Sequence, residues 1–275
     1  MPIQKHNMSL HHQEVMSRFV EACKTDARVV AAFLGGSYAR GEADEHSDLD
    51  LCVITTDVAF DTFLAGREEF IRLLGDPVFL ESFARSNIAF FVLADGVEGE
   101  LNFGSAGHLD RIQSGPFKVL LDKNGILAGA TFPESDKTQS EQTGELRRLI
   151  YGFWHELSHF CTAMQRRQRW WAFGQLEALR RHCISLLRLR HNFAAWAGGD
   201  EPYFKVEKEL PVAQLSPLQD TICVMEPGAM REAARVIVGI YRELAQSLAQ
   251  THGIAYPAEL DRVMSARLQT LFDRD

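Results

Sequence analysis

Two aspartates, Asp48 and Asp50, are the residues of this 275-residue chain whose spacing most directly indicates chemistry. They stand two positions apart at the start of an apolar run that includes Leu49 and Leu51. Alternate residues of a strand point to the same face, so both carboxylates should project together while the leucines are buried behind them. Two like charges held so close repel each other. They therefore need a shared proton or a bound divalent cation.

A glycine-rich turn precedes this pair, with ten residues between Ser37 and Asp48. An apolar segment, residues 30–33, leads into Gly35, Gly36 and Ser37. Glycines let a backbone approach a ligand closely, and N–H groups beside a serine hydroxyl can hold phosphate oxygens. A phosphate cradle facing metal-binding carboxylates suits a nucleoside triphosphate bound with Mg²⁺. Taken separately, the two halves also fit a simple turn and a polar strand face.

The segment 36–51, GSYARGEADEHSDLDL, resembles the signature of the polymerase-β-type nucleotidyltransferase superfamily. It is most similar to the branch that adenylylates antibiotics, the lincosamide and aminoglycoside nucleotidyltransferases. The resemblance implies that Gly36 and Ser37 hold the β- and γ-phosphates of ATP or another nucleoside triphosphate. It implies that Asp48 and Asp50 bind Mg²⁺, with two Mg²⁺ ions expected in the site. It also implies attack of an acceptor hydroxyl on the α-phosphorus, with pyrophosphate leaving. Positioning and charge neutralisation supply most of such catalysis.

A third carboxylate is expected on a neighbouring strand, and Glu100 is the first candidate. It lies in the alternating segment 97–103, VEGELNF. This segment resembles the Gly-Glu-aromatic-x-Phe element of the lincosamide enzymes, with Leu101 in place of the aromatic residue. Glu100 would ligate metal or accept the proton of the acceptor hydroxyl. Glu98 shares its strand face and is the alternative. Either glutamate could also be a solvated carboxylate of a β-hairpin that has no function.

The segment 155–159, HELSH, matches HExxH, the zinc-binding pattern of metalloproteases. On a helix, His155 and His159 share a face, and Glu177 follows at a distance that suits a third ligand. The nucleotidyltransferase signature has no role in a protease. We therefore favour His155, Glu156 and His159 as contacts to the acceptor, with a solvent-facing helix surface as the alternative.

Arginines with a potential for anion contacts occur in three places. Arg40 follows the glycine turn and is a candidate for binding phosphate, or a surface arginine beside Glu42. The segment 166–171, RRQRWW, suits nucleic-acid contact or, as we prefer, stacking at a helix junction. Arg180 lies in a pattern that resembles the helical domain of the antibiotic enzymes, and we expect no function for it.

Hydrophobic periodicity divides the chain into a mixed α/β part and a helical part. Helices are predicted at 9–24, 57–74, 145–164, 170–192, 228–251 and 257–272, and strands at 28–34, 49–55, 87–93, 98–103 and 117–121. The fold class is therefore an α/β (α+β) nucleotidyltransferase domain with a mixed sheet, followed by an all-helical domain. We place the catalytic domain at 1–130, a polar linker at 131–143 and a helical substrate-binding domain at 144–275. The resemblance implies an active site between the two domains.

Composition limits the partners. The net charge of −8 argues against tight binding of nucleic-acid backbones, which relies on Lys and Arg. The five scattered cysteines fit buried thiols of a reducing compartment, and no signal peptide or membrane-spanning run is apparent. We expect a cytoplasmic monomer or homodimer without nucleic-acid or membrane partners.

The function expected from the sequence is Mg²⁺-dependent transfer of a nucleoside monophosphate, AMP from ATP in the first instance, to a hydroxyl of a lincosamide or aminoglycoside. One alternative is transfer to a protein or another non-antibiotic acceptor. A second is a non-catalytic binding or toxin-partner protein of the same fold. The intact Gly36, Ser37, Asp48 and Asp50 argue against a degenerate site.

Overall fold

A computed structural model describes residues 8–82, 87–112, 115–132, 138–193 and 201–273. The chain divides into two compact units, Met1–Ser135 and Asp136–Asp275. Each unit has its own hydrophobic core, built from residues of that unit alone. The first unit holds the sheet and the second is helical, which confirms the predicted fold class.

The first unit is built around a six-stranded mixed sheet. Its strands are β1 Val29–Leu34, β2 Leu49–Thr55, β3 Pro77–Ser82, β4 Ile88–Leu93, β5 Glu98–Ser105 and β6 Lys118–Asp122. They lie in the order β3-β4-β5-β2-β1-β6. The central strands β2 and β5 are parallel, and every other neighbouring pair is antiparallel. β2 has the predicted bounds, whereas β3 was not predicted.

Helices cover one face of this sheet. They are α1 Leu10–Thr25, α2 Gly36–Arg40, α3 Phe60–Ala65 and α4 Arg67–Arg72. α1 begins as predicted, because the Ser9 side chain accepts a hydrogen bond from the His12 N–H. The predicted helix at 57–74 is present in three pieces, a 3₁₀ turn at 57–59 followed by α3 and α4, which meet at Gly66. Leu49 and Leu51 of β2 are buried in the core on this side.

The second unit is formed by α5 Gln139–Gln165, α6 Arg169–His191, α7 Val206–Glu209, α8 Val212–Gln219, α9 Pro227–Thr251 and α10 Ala258–Gln269. In its core, the rings of Phe153 and Tyr241 stack with centroids 3.6 Å apart. The Tyr241 hydroxyl donates to the Ile150 carbonyl oxygen at 2.6 Å, so its polar atom is satisfied although the ring is buried. The short helices α7 and α8 were not predicted.

The start of α5 corrects the predicted linker, which was placed at 131–143. Thr138 caps the helix, and its side chain accepts from the Glu141 N–H while the Glu141 carboxylate accepts from the Thr138 N–H. This capping box begins α5 at Gln139, inside the polar stretch. The predicted end of the helix pair at 198–202 lies partly outside the described residues.

Two further expectations concern the whole chain. All five cysteines are free thiols, and four of them are buried. Within the described ranges, no helix is both long and apolar enough to cross a membrane.

Candidate active site

The Asp50 carboxylate lies directly on the glycine turn between β1 and α2. The Gly35 N–H donates to the Asp50 carbonyl oxygen at 2.8 Å, which ties the turn to β2. Gly36 has φ +54°, and a Cβ added there would lie 1.5 Å from Asp50 Oδ2. Only glycine leaves room for the carboxylate at this position. The glycine turn and the Asp50 carboxylate are therefore parts of one site.

Ser37 places an unsatisfied hydroxyl in the same turn. Its Oγ is buried and has no hydrogen-bond partner among the described residues. A buried hydroxyl without a partner costs free energy, and a ligand oxygen would satisfy it. This observation fits the phosphate-binding role that the sequence resemblance implies for Ser37.

The parallel pairing of β2 and β5 brings a third carboxylate beside Asp50. Asp50 and Glu100 are register partners, so both point from the same face of the sheet. Asp48 and Glu100 are exposed, and Asp50 is half-buried. Glu98 lies two residues before Glu100 on the same face of β5, and it is not the residue opposite Asp50 in this register. The pairing therefore supports Glu100 over Glu98 as the third acid.

The electrostatics of Asp50 show that these charges act at one place. Burial, which is the largest cause, and the negative charges of Asp48 and Glu100 together raise the pKa of Asp50 to about 6. Arg40 acts in the opposite direction. A carboxylate destabilised in this way favours a nearby cation, and carboxylate oxygens are the ligands that Mg²⁺ prefers in proteins. The residues present therefore fit the implied ion.

The three carboxylates share a face without forming a closed set of metal ligands. Among the residues that the structure describes, no three His, Cys, Asp or Glu side chains lie close enough together to hold a metal ion. Metal ligation by Asp48, Asp50 and Glu100 stays a prediction.

Arg40 lies mainly in a surface ion pair. Its Nε is 3.1 Å from Glu42 Oε2, and the side chain is partly exposed. This is the alternative that the sequence left open for Arg40. Its charge nevertheless lowers the pKa of Asp50, so it contributes to the field of the site from a distance.

Lys118 is a charged neighbour of the site that the sequence did not reveal. β6 pairs with β1, and this pairing places Lys118 opposite Leu34, just before the glycine turn. The Lys118 ammonium donates to the Tyr38 carbonyl oxygen in α2. Strand β6 was predicted, but its pairing with β1 depends on contacts distant in sequence. That pairing alone brings the lysine to the turn.

The HExxH segment lies on α5 and is not assembled as a zinc site. The rings of His155 and His159 are neighbours, with centroids 4.2 Å apart. When the Gln175 side-chain amide is oriented to match its neighbours, it donates to Glu156 at 2.6 Å and accepts from the indole N–H of Trp171 at 3.3 Å. His155 is exposed. These contacts join α5 to α6 and leave a polar surface with an imidazole at its edge.

The proposed third zinc ligand, Glu177, is engaged elsewhere. Its Oε2 lies 3.1 Å from the Arg180 guanidinium. Arg180 is buried and also donates to the hydroxyl and the carbonyl oxygen of Thr221. Arg180 thus joins α6 to the segment after α8, and no set of zinc ligands is assembled at HExxH among the described residues.

A sequence model of the streptomycin adenylyltransferase family matches residues 10–271. The chain belongs to this family. The match covers both units and every candidate residue named above. This adenylyltransferase family member is therefore a nucleotidyltransferase, as the segment 36–51 predicted.

Two other comparisons accompany this match. An aminoglycoside 6-adenyltransferase from Bacillus subtilis is similar in structure to this adenylyltransferase over 96% of this chain and 98% of that chain. The identity is 12% and the TM-score is 0.44, so this likeness carries no further argument. A search of the curated proteins finds no match.

Proposed function

We propose that this protein transfers AMP from ATP to a hydroxyl of an aminoglycoside such as streptomycin and releases pyrophosphate. The family match supports nucleotide transfer and this class of acceptor. The observation that carries the proposal is the contact between Gly36 and Asp50, because it joins the phosphate turn and the carboxylates into one site. The acidic net charge of −8 suits a polycationic acceptor.

Each candidate residue has a role in this reaction. The Ser37 hydroxyl and the backbone of Gly36 bind the β- and γ-phosphates of ATP. Asp48, Asp50 and Glu100 hold Mg²⁺, which when bound supplies neutralisation of the triphosphate charge. Glu100, exposed on its strand face, orients the acceptor hydroxyl and accepts its proton.

Three residues of the helical unit are proposed as contacts to the acceptor. His155, Glu156 and His159 present hydrogen-bonding groups on α5, and a carboxylate beside imidazoles suits the ammonium and hydroxyl groups of an aminoglycoside. A cytoplasmic location fits an enzyme that uses ATP, and both substrates are small molecules.

The turn offers a pair of matched substitutions to test the proposal. Gly36→Ala should lower kcat for pyrophosphate release by about 100-fold or more, because the new methyl group displaces the Asp50 carboxylate. Gly41→Ala is the control. Gly41 also has positive φ, +79°, but a Cβ there meets nothing within 4 Å. It should lose about 1 kcal/mol of stability and keep its activity.

The measurement is pyrophosphate release from Mg²⁺-ATP with streptomycin, other aminoglycosides and lincosamides as acceptors. Asp48→Asn and Asp50→Asn accompany the glycine variants, and each should abolish release. If pyrophosphate release depended on a lincosamide alone, the acceptor would be a lincosamide and not an aminoglycoside. Equal activities of Gly36→Ala and Gly41→Ala would contradict the site itself.

A further inference from the structure

The turn between α5 and α6 carries a concentration of positive charge to which the proposed reaction assigns no role. We call residues 166–170, Arg-Arg-Gln-Arg-Trp, the arginine turn. All five are exposed, and the Trp170 side chain is 79% exposed. The preferred interpretation from sequence, in which these side chains stack at the helix junction, holds for Trp171, which packs against the core of the unit. It is wrong for Trp170.

The three guanidinium groups of the arginine turn have no acidic partner among the residues that the structure describes. Several exposed arginines elsewhere in the helical unit do have one, namely Arg148 with Glu145, Arg235 with Glu232 and Arg262 with Glu259, whereas exposed Arg147 has no acidic partner among the described residues either. Three adjacent unpaired arginines repel one another, and they stand out in a chain whose net charge is −8. They form a local anion-attracting surface.

Two residues of the arginine turn occupy backbone positions that their residue type disfavours. The Gln168 N–H donates to the Ala163 carbonyl oxygen and the Arg167 N–H to that of Met164, the pattern of a Schellman motif. The left-handed position of this motif usually holds glycine, but here it holds Arg167 at φ +58°. Arg169 begins α6, where the helix dipole disfavours positive charge. A bound anion would offset the unfavourable charge of Arg169, whereas the left-handed backbone of Arg167 is unfavourable with or without one.

We propose that the arginine turn is a binding surface for single-stranded nucleic acid. Guanidinium groups bind phosphate oxygens in bidentate pairs, and an exposed indole stacks on a base. Open grooves lie on both sides of the turn. One is lined by Met164, Pro227 and Leu271. The other is lined by Trp171, Met225 and Glu226, so one carboxylate faces the surface.

Trp170 decides the choice among anionic partners. A phosphate polymer needs charge alone, whereas a single strand offers bases as well as phosphates. A vesicle could also take up an indole, so vesicle binding is measured separately. The net charge of the whole chain argued against nucleic-acid binding, but a local surface acts over roughly a Debye length, about 8–10 Å at physiological salt. The proposal does not rest on the proposed aminoglycoside activity.

The test is fluorescence anisotropy of a labelled oligouridine of about 12 nucleotides, titrated with the full chain at several salt concentrations. Three phosphate contacts predict a slope of log K against log salt near −2, from about −0.7 for each contact on a single strand. The variant Arg166→Gln, Arg167→Gly, Arg169→Gln should bind at least 10-fold more weakly, with a slope near zero. Glycine suits the backbone of position 167, so this variant should fold, and a thermal melt checks it.

The matched control removes three positive charges elsewhere in the same unit, by Arg148→Gln, Arg235→Gln and Arg262→Gln. It should keep oligouridine binding within about threefold, because specific contacts and not net charge hold the strand. Trp170→Ala should weaken oligouridine binding by about 10-fold and leave inorganic polyphosphate binding unchanged.

Four outcomes would overturn the proposal. The first two are wild-type protein that binds oligouridine no more tightly than the arginine-turn variant, and a control that loses as much affinity as that variant. The other two are oligouridine binding that Trp170→Ala leaves unaltered, and binding of phosphatidylserine vesicles where oligouridine does not bind. A raised KM for ATP in the arginine-turn variant would instead assign the arginine turn to the nucleotide site. That result would overturn the nucleic-acid proposal and leave the proposed nucleotide transfer standing.

Discussion

The chemistry proposed for this protein depends on a carboxylate that the fold holds in an unfavourable state. Asp50 is half-buried beside two other acids, and its carboxylate contacts the backbone of Gly36. Burial and neighbouring charges raise its pKa to about 6 from an ordinary value of 3.8. The ionised form therefore costs stability at neutral pH in the absence of a cation. Residues that serve a ligand often lower stability in this way.

Asp50→Asn should make the ligand-free protein more stable at pH 7.5 while it abolishes nucleotide transfer. The amide has the same shape and no charge. The expected gain is about 1 kcal/mol, because solvent screening reduces the full effect of a shift of this size. Thermal or urea unfolding of the two proteins measures it. Asp57→Asn, which removes an exposed carboxylate outside the site, is the control and should bring no such gain.

The stability difference between Asp50→Asn and wild type should depend on pH. The folded-state pKa of Asp50 lies above the unfolded value, so the folded protein takes up a proton more readily. The penalty is fully present above pH 6 and disappears as the pH falls from about 6 towards 3.8. The stability gap between Asp50→Asn and wild type should therefore narrow at pH 5, and Mg²⁺ at pH 7.5 should narrow it too. A less stable Asp50→Asn protein at pH 7.5 would contradict the assignment.

The sequence predicted part of this site and missed part of it for a physical reason. Asp48 and Asp50, two apart in an apolar run, placed the acids on one strand face because alternation is a local property. The approach of Glu100 and of Lys118 depends on which strands pair, β5 with β2 and β6 with β1. These pairs, Asp50 with Glu100 and Leu34 with Lys118, are 50 and 84 positions apart and leave no local signal.

At the scale of elements, strongly periodic segments were predicted well and weakly patterned ones were not. β2 is buried along its length, and its predicted bounds are those observed. β3 is half-exposed at the sheet edge, so its hydrophobic pattern is weak. It begins at Pro77, directly after Gly75 and Asp76, and these residues indicated the end of a helix and not the start of a strand. α5 begins within a polar stretch because Thr138 and Glu141 form a capping box, a signal of two residues rather than of periodicity.

Two glycines of α5 should respond to alanine with opposite signs. Alanine in a helix interior usually stabilises by about 0.5–1 kcal/mol relative to glycine, and Gly144 has open space around it, so Gly144→Ala should follow this rule. At Gly152, a Cβ would lie 2.9 Å from the Cε1 atom of His182. That ring is held by its hydrogen bond to Leu149 and packs edge-on against Phe153. Gly152→Ala should therefore destabilise by about 1–3 kcal/mol.

Chemical denaturation of the two alanine variants beside wild type measures these effects. Because both substitutions lie in one helix and add the same methyl group, helix propensity cancels in the comparison. The difference between them isolates the contact between α5 and α6. A stabilising Gly152→Ala would show that His182 moves freely and that this contact is loose.

At the scale of the whole molecule, each of the two units has a core of its own. The core of the helical unit joins α5, α6, α8, α9 and α10 and contains residues of that unit alone. We therefore propose that residues 136–275 form an independent domain, consistent with the predicted division of the chain. Expressed alone, this fragment should be helical by circular dichroism and unfold cooperatively.

The fragment should also lose stability in acid because of one buried imidazole. Burial lowers the pKa of His182 to about 4, while its ordinary value is 6.5. The unfolded chain thus binds a proton that the folded one does not. The contribution of neutral His182 is fully present above pH 6.5 and is lost between pH 6.5 and 4, amounting to about 2 kcal/mol at pH 5.

Urea unfolding of the fragment at pH 7.5 and pH 5 measures this loss. His182→Gln, which keeps a donor for the Leu149 carbonyl oxygen, should show a much smaller difference between the two pH values. His155→Gln, at an exposed imidazole of the same unit, should behave as the parent fragment does. A fragment that is unfolded at pH 7.5 would refute its independence. A folded fragment with equal acid sensitivity in parent and His182→Gln would keep the domain and assign the titration to another group.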